Sequence, residues 1–325
     1  MDKPKISVVM SAYNAQEYLE EAIESILNQT FNDFEFIIID DGSTDNTSAI
    51  IENYARQDSR IRPVDYGENK GLITALNTGF KMAKGRYIAR MDADDISLPD
   101  RFLKQYEYLE AHPDTVLLGT LSAYMDERSQ VYGIWPVLLS DEEIRTGIAI
   151  HNEFRHGAVM IRRDVITKNK ELYDIKAAHY EDYEYWPRLL RHGKGANLPD
   201  VLYLYREIST NITATKGAEM DAGSDHVVSR EQSLLKLPPV RIKKAFILFR
   251  RAGIYKPASV TVNGTRLRTN LRWQYQLFLL GLSKLYIHRK DPISAAYSIL
   301  ACILINPFRF AYSGALAFVH GITGR

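Results

Sequence analysis

Three carboxylates stand within four residues, at Asp92, Asp94 and Asp95. Packed together in an interior they would repel one another, so the cluster calls for a cation. Asp92 and Asp94 are separated by one residue, which lets a turning strand end present one to a metal and the other to a nearby hydroxyl. Hard oxygen ligands suit magnesium or manganese, usually with phosphate oxygens completing the shell. A solvated acidic turn ahead of a helix near Pro99 would use the same residues. Position favours the chemical reading. The cluster follows an apolar run, Tyr87 to Met91, and is matched by Asp40-Asp41 after another, Phe34 to Ile39. A further acidic pair, Glu181-Asp182, precedes Tyr183, Trp186, Leu189 and Leu190 at helical spacing. Acids in a first helical turn also stabilise the helix dipole, so this pair alone decides nothing. His156 lies beside an apolar run, Gly157 to Ile161, where a histidine is more often structural than functional.

The elements that must hold these groups alternate. Ile6 to Met10 is short, β-branched and turn-bounded, hence a buried strand. Leu19, Ala22, Ile23, Ile26 and Leu27 follow with helical period. Phe34 to Ile39 predicts a second strand, and Ser43, Thr44 and Asp45 offer caps for a helix through Ile50, Ile51 and Tyr54. Ile61 to Val64 predicts a strand, Leu72 to Met82 a helix stopped by Gly85, and Tyr87 to Met91 the next strand. Such alternation implies an α/β fold whose mostly parallel sheet is covered on both faces. Ligands of open α/β sheets sit beyond the carboxyl ends of the strands. Those ends carry Ser11-Ala12-Tyr13-Asn14, Asp40-Asp41-Gly42-Ser43 and Asp92-Ala93-Asp94-Asp95, which should converge on one crevice.

Other classes are disfavoured. There is no Gly-x-Gly-x-x-Gly after the first strand and no Walker sequence, which argues against dinucleotide oxidoreductases and P-loop enzymes. One cysteine, Cys302, excludes a disulfide scaffold and a cysteine-rich zinc site. The first apolar run is too short for a signal peptide, so a cytoplasmic location is expected.

Three ordered motifs carry a resemblance: Ile6-Ser-Val-Val-Met-Ser-Ala-Tyr-Asn14, Ile39-Asp-Asp-Gly-Ser-Thr-Asp45, and Tyr87-Ile-Ala-Arg-Met-Asp-Ala-Asp-Asp95 with Pro99-Asp100-Arg101. Over residues 5 to 213 the chain resembles family 2 glycosyltransferases of the GT-A fold. Asn69-Lys-Gly-Leu and Ala89-Arg-Met-Asp-Ala-Asp-Asp look most like bacterial enzymes of lipopolysaccharide or capsule synthesis, including N-acetylglucosaminyl- and galactosyltransferases. The resemblance implies that Ser11 and Tyr13 line the nucleotide base site and that Asp41 accepts from a uracil imide. It implies that Asp92 contacts ribose or donor sugar, that Asp94 holds Mn2+ or Mg2+ on the diphosphate, and that Asp95 adjoins the donor sugar. Relatives place an arginine in the segment at 70–76, where Lys70 is the sole cation here. The resemblance further implies that His156 borders the acceptor cleft and touches an acceptor hydroxyl, that Asp182 is the general base, and that Glu181 orients the base or the acceptor. Relatives often carry Tyr-Arg-x-His where this chain has Tyr205-Arg206-Glu207-Ile208. The histidine is missing, and Arg206 is left to clamp the diphosphate.

Charge divides the chain. From Lys236 onward there are 15 Lys or Arg and one acid, Asp291, although the net charge of the whole is +1. The expected organisation is a catalytic domain over 1–213, a linker over 214–240 containing Pro238-Pro239, and a basic, apolar helical region over 241–325. Residues 292–308 are 17 without charge, short of the roughly 20 that span a bilayer. Apolar stretches bracketed by Lys and Arg fit helices lying on an anionic membrane surface; a packing or homo-oligomerising module is the alternative. No nucleic-acid reading motif accompanies the charge.

The resemblance, with the charge pattern, implies an inverting, metal-dependent transferase moving sugar from a UDP-sugar to a glycan or lipid-linked acceptor for a bacterial surface polysaccharide, peripheral at the inner membrane face. A nucleotidyltransferase of related fold would be expected to open on a glycine-rich, arginine-containing loop instead of Ser11-Ala12-Tyr13-Asn14. A non-catalytic sugar-nucleotide-binding membrane scaffold would have no need of Asp94 and Asp182.

Overall fold

The computed structural model describes residues 3–135, 137–148, 152–208, 215–234, 259–262 and 265–268. The first strand, β1 (Ile6–Ala12), sits between β2 (Phe34–Asp40) and β4 (Tyr87–Asp92), parallel to both, with β3 (Ile61–Asp65) parallel to β2 outside it. Helices α1 (Leu19–Leu27), α2 (Thr47–Gln57) and α3 (Leu72–Met82) make the crossovers. Side chains of a strand alternate between faces. Ile6, Val8 and Met10 therefore enter one core with Leu19, Ile23 and Ile51, while Val9 enters the other with Leu76 and Phe80. Burial on both faces explains why these strands read as continuous apolar runs.

The expected parallel α/β sheet is present through β4, and beyond it the sheet becomes mixed. After the short β5 (Ile96–Ser97) and α4 (Arg101–Ala111) come β6 (Thr115–Met125), β7 (Val131–Trp135) and α5 (Asp141–Gly147). Strand β8 (Met160–Arg162) is inserted antiparallel between β4 and β6, and α6 (Arg163–Asn169) leads on to α7 (Glu181–Leu189). The long β9 (Lys194–Arg206) runs parallel to β6, giving the order β3-β2-β1-β4-β8-β6-β9-β5 with β7 on β6.

Two expectations about single elements need correction. The run Gly157 to Ile161 is not all strand: His156–Ala158 is a 3-10 turn and the strand begins at Met160. A Cβ at Gly157 would collide with the Tyr203 hydroxyl and the Asp92 carboxylate, so the turn lets bare backbone approach both. Helix α2 starts at Thr47 with Asn46 at its cap position, and Asp45 bonds the Thr47 N–H from outside. The expected linker is mostly a helix, α8 (Gly217–Leu234). It packs on α7 through fully buried Val227, and Arg230 donates to the buried Glu184 at 3.0 Å. The anticipated helical region contains an antiparallel pair, β10 (Ser259–Val262) with β11 (Thr265–Arg268). The remaining apolar and basic stretches of 241–325, and the motif at 209–213, lie outside the described residues. No helix among the described residues is long and apolar enough to cross a membrane.

Candidate active site

The three strand-end clusters do converge. Ser11 is opposite Ile39 on one side and Asp92 on the other, and Ala12 is opposite Asp40. The loops after β1 and β2 are tied together: Asn14 N–H donates to Ser43 Oγ at 3.0 Å, and Thr44 N–H donates to Asn14 Oδ1 at 2.8 Å. Asp40 holds that turn by accepting from Ser43 N–H at 2.9 Å. Ser11 is half-buried, and Tyr13 stands on the rim, 50% exposed. Lys70 lies over the Tyr66 ring at 4.9 Å, its ammonium 3.6 Å from the exposed Glu68 carboxylate.

Asp41 also has a structural part. It is 2% exposed, and its two oxygens accept from Lys70 N–H at 2.8 Å and Gly71 N–H at 2.9 Å. A buried carboxylate holding two amides positions the loop that carries Lys70. Asp41→Ala would leave two amide donors unsatisfied, which costs about 1–3 kcal/mol each. A lowered melting temperature and weaker nucleotide binding are expected; calorimetry and thermal melts check both.

Arg206 departs from expectation. Its side chain is 1% exposed. It donates from Nε to the Asp94 carbonyl at 2.7 Å and pairs with Glu21, while its guanidinium lies 4.3 Å over the Tyr18 ring. Arg206 therefore braces the acidic turn from behind and is too enclosed to clamp a diphosphate directly. Its backbone N–H donates to Asp95 at 2.8 Å.

The acidic turn is short of countercharge. Asp92 is ion-paired with Arg90, but burial and then the Asp92 charge push Asp94 up to about 6. Burial, Asp94 and Asp92 hold Asp95 well above the carboxylate range, and its Oδ2 is buried without a hydrogen-bond partner among the described residues. These are hard oxygens whose protonation a divalent cation would relieve. Among the described residues no three His, Cys, Asp or Glu side chains gather to hold an ion. Asp94 and Asp95 offer the hard oxygens that magnesium or manganese takes, but by themselves they would fill only part of such a shell.

The second acidic pair adjoins the first across the 156–157 turn. His156 Nδ1 is 3.7 Å from Glu181, and Nε2 is 3.0 Å from the Tyr173 hydroxyl. Burial and Arg90 push His156 well below its usual range, so the ring is neutral. With both nitrogens turned to protein groups, it supports the acidic pair and is not presented to an acceptor. Asp182 accepts from Asn152 Nδ2 at 2.7 Å and from Tyr183 N–H at 2.6 Å, at the head of α7 as expected. Burial raises Asp182 despite those bonds, and burial with Asp182 beside it lifts Glu181 to about 7.

Sequence reasoning missed the group that joins the two acid clusters. Arg90 is fully buried; burial opposes its charge, but Asp92, Tyr203 and Tyr173 keep its pKa high. Its field also lowers both Glu181 and Asp182. A signal existed, since a cation inside the apolar strand Tyr87-Ile-Ala-Arg-Met shares a face with Asp92 two residues on. Asn152 and Tyr173 had no comparable signal, because each is brought in from a loop.

Comparisons with known proteins bear on this site. The sequence pattern described as "Glycosyl transferase family 2" matches residues 7–168. An uncharacterised glycosyltransferase of Haemophilus influenzae is 34% identical over 211 residues, covering 62% of this chain and 65% of that protein. The amylovoran biosynthesis glycosyltransferase AmsE of Erwinia amylovora is 35% identical over 218 residues, covering 65% of this chain and 79% of AmsE. The chain belongs to glycosyltransferase family 2. Its GT-A fold matches S. aureus TarS 1-349 in complex with UDP, at TM-score 0.58, 16% identity and coverage of 92% of this chain and 91% of that one. It also matches the mannosyltransferase PcManGT of Pyrobaculum calidifontis in complex with GDP-Man and Mn2+, at TM-score 0.57, 16% identity and coverage of 98% and 81%. As a family 2 chain, it spans about two thirds of the length of the first relatives it matches.

The acidic pair makes a pH prediction for this family 2 protein. A carboxyl whose folded pKa is raised stabilises the fold most below its unfolded pKa, and that contribution is lost as pH rises through the folded value. Wild-type protein should therefore lose stability between about 4.5 and 7 relative to Glu181→Gln, which does not titrate there. Melting temperatures of the two across that range test this; parallel curves would contradict it.

Proposed function

We propose that the protein is an inverting glycosyltransferase that moves a sugar from a UDP-sugar to a hydroxyl of a glycan or lipid-linked acceptor in bacterial surface polysaccharide synthesis. One observation carries the reading: two undercompensated carboxylate groups, at the end of β4 and the head of α7, share one buried arginine across the 156–157 turn. The first group suits a diphosphate with its cation, the second a hydroxyl that must lose a proton. UDP in TarS and amylovoran synthesis by AmsE support the donor and the setting.

Ser11, Tyr13 and Lys70 would line the nucleotide, Lys70 placing a positive charge near the phosphates. Asp92 and Asp95 would face ribose and donor sugar. Asp94 would hold Mg2+ or Mn2+, which when bound offsets charge developing on the departing diphosphate. Asp182 would take the acceptor hydroxyl proton as that oxygen attacks the anomeric carbon from the face opposite the diphosphate. Asn152 and the Tyr183 amide fix the orientation of its carboxylate. Glu181, one residue away, would orient the acceptor and raise the basicity of Asp182. The base must be ionised to act, and burial raises the Asp182 carboxyl, so transfer should increase as pH rises from the acid side.

A peripheral position on the membrane would bring a lipid-linked acceptor within reach of the crevice, and the cationic residues beyond Lys236 support it. The test of function is thermal melting with UDP, GDP or CDP and manganese, followed by UDP release from a panel of UDP-sugars. A ligand at 100 times its Kd stabilises by about 2.7 kcal/mol, a readily measured shift. UDP is expected to give the largest shift. Preference for GDP would overturn the donor assignment, and no response to any nucleotide would overturn the whole reading.

A further inference from the structure

At the end of the sheet opposite the acidic crevice, the chain forms a cavity of about 410 Å3. Its walls carry Lys3, Lys5, Lys84, Arg86, Arg162 and Arg163 against a single carboxylate, that of Asp164. Strand pairing builds this concentration. Ile6 is opposite Tyr87, so Lys5 and Arg86 enter side by side, and Tyr87 N–H donates to the Lys5 carbonyl at 3.0 Å. Tyr87 is opposite Arg162 on its other side, and Arg163 N–H donates to the Arg86 carbonyl at 3.1 Å. The Lys84 amide is held by Ser7 Oγ at 3.1 Å and Glu35 at 2.7 Å. The backbone is thus fixed while the Lys3, Lys5 and Lys84 side chains stay exposed.

The positive charge is poorly compensated. Asp164 is paired with Lys168, which does not line the cavity. Arg162 spends its guanidinium on the carbonyls of Thr115 and Leu109 and on the Tyr87 hydroxyl, none of them anionic. Arg86 has Glu110 at 2.9 Å, and among the described residues Lys3, Lys5 and Lys84 form no ion pair. The crevice acids do not neutralise the cavity either. Asp92 lies six residues along the strand from Arg86, about 20 Å at roughly 3.3 Å per residue. That exceeds a Debye length of about 8 Å at physiological salt.

We propose that this cavity is a second binding site, taking a phosphate-bearing anion and independent of the donor crevice. Ammonium groups with Arg163, whose Nε donates to the Gly85 carbonyl at 2.6 Å, present donors in the arrangement that phosphate oxygens accept. The volume suits a diphosphate or the phosphate of a lipid headgroup.

The full chain and its Lys3→Gln/Lys5→Gln/Lys84→Gln variant are compared in two arms. One is calorimetry with inorganic pyrophosphate in EDTA, which removes the cation that the acidic crevice would need. The other is sedimentation with phosphatidylglycerol vesicles, against phosphatidylcholine vesicles as control. Both proteins keep the cationic C-terminal residues, so those contributions cancel. At least tenfold weaker binding is expected in the variant. Loss in the pyrophosphate arm identifies a soluble anion, and loss confined to phosphatidylglycerol identifies a headgroup. Equal binding by both proteins in both arms, or no binding by the native chain, overturns the proposal. Should the triple variant melt early, Lys84→Glu gives the same readout from one exposed position, with the same two outcomes.

Discussion

Asp182→Asn is expected to lower sugar transfer by a factor on the order of 100 or more while leaving donor binding unchanged. The substitution keeps the shape and both local hydrogen-bonding partners, Asn152 and the Tyr183 amide, within reach. It removes the capacity to take a proton, and with it the carboxylate charge. Because the like charge beside Glu181 also disappears, Glu181 should titrate lower in this variant than the value of about 7 it has beside Asp182. Single-turnover transfer measured with donor-binding calorimetry separates the effects. A variant transferring at the native rate would remove Asp182 from the mechanism, and the proton would then have to leave through Glu181.

Asp94→Asn is expected to abolish cation-dependent UDP binding and leave the fold intact or slightly more stable. Asparagine offers a neutral oxygen where a hard cation needs an anionic one. The buried Asp94 carboxylate, lifted to about 6, is a charge the empty fold accommodates poorly, so neutralising it should not harm folding. Calorimetry with UDP and manganese, together with a thermal melt, gives both readings. Unchanged affinity with unchanged metal dependence would assign the cation elsewhere.

The first half of the fold was legible because β1, β2 and β4 are buried on both faces and the strands alternate with clear helical periods. Helix α3, Leu72–Met82, matches its sequence limits for that reason. Legibility fell where long-range packing overrides local pattern. Gly157 belongs to an apolar run, yet its turn is dictated by Tyr203 and Asp92, which come from other strands. Helix α8 looked like a linker because its sequence is polar, and one side chain, Val227, is its fully buried anchor. The acids of the candidate site were visible in the sequence, since charge at a strand end stands out there. Their directions were not: whether Asp41 turns inward to Lys70 and Gly71, or Arg206 to Asp94 and Glu21, depends on loops whose course is set only in three dimensions.

The seat of α8 on α7 also bears on how such chains can be recombined. Arg230 meets Glu184 three residues beyond Glu181, and Gly223 lies so close against the Tyr180 ring that a Cβ there would collide with it. Tyr180 is the residue at the cap of the helix that begins with Glu181 and Asp182. A chimera joined at about residue 214 would import a foreign helix against that cap, strand Glu184 without Arg230, and disturb the acids one turn away. A junction placed after Leu234 inherits the whole buttress, so the smallest exchangeable module is longer than the motif-bearing part of the chain.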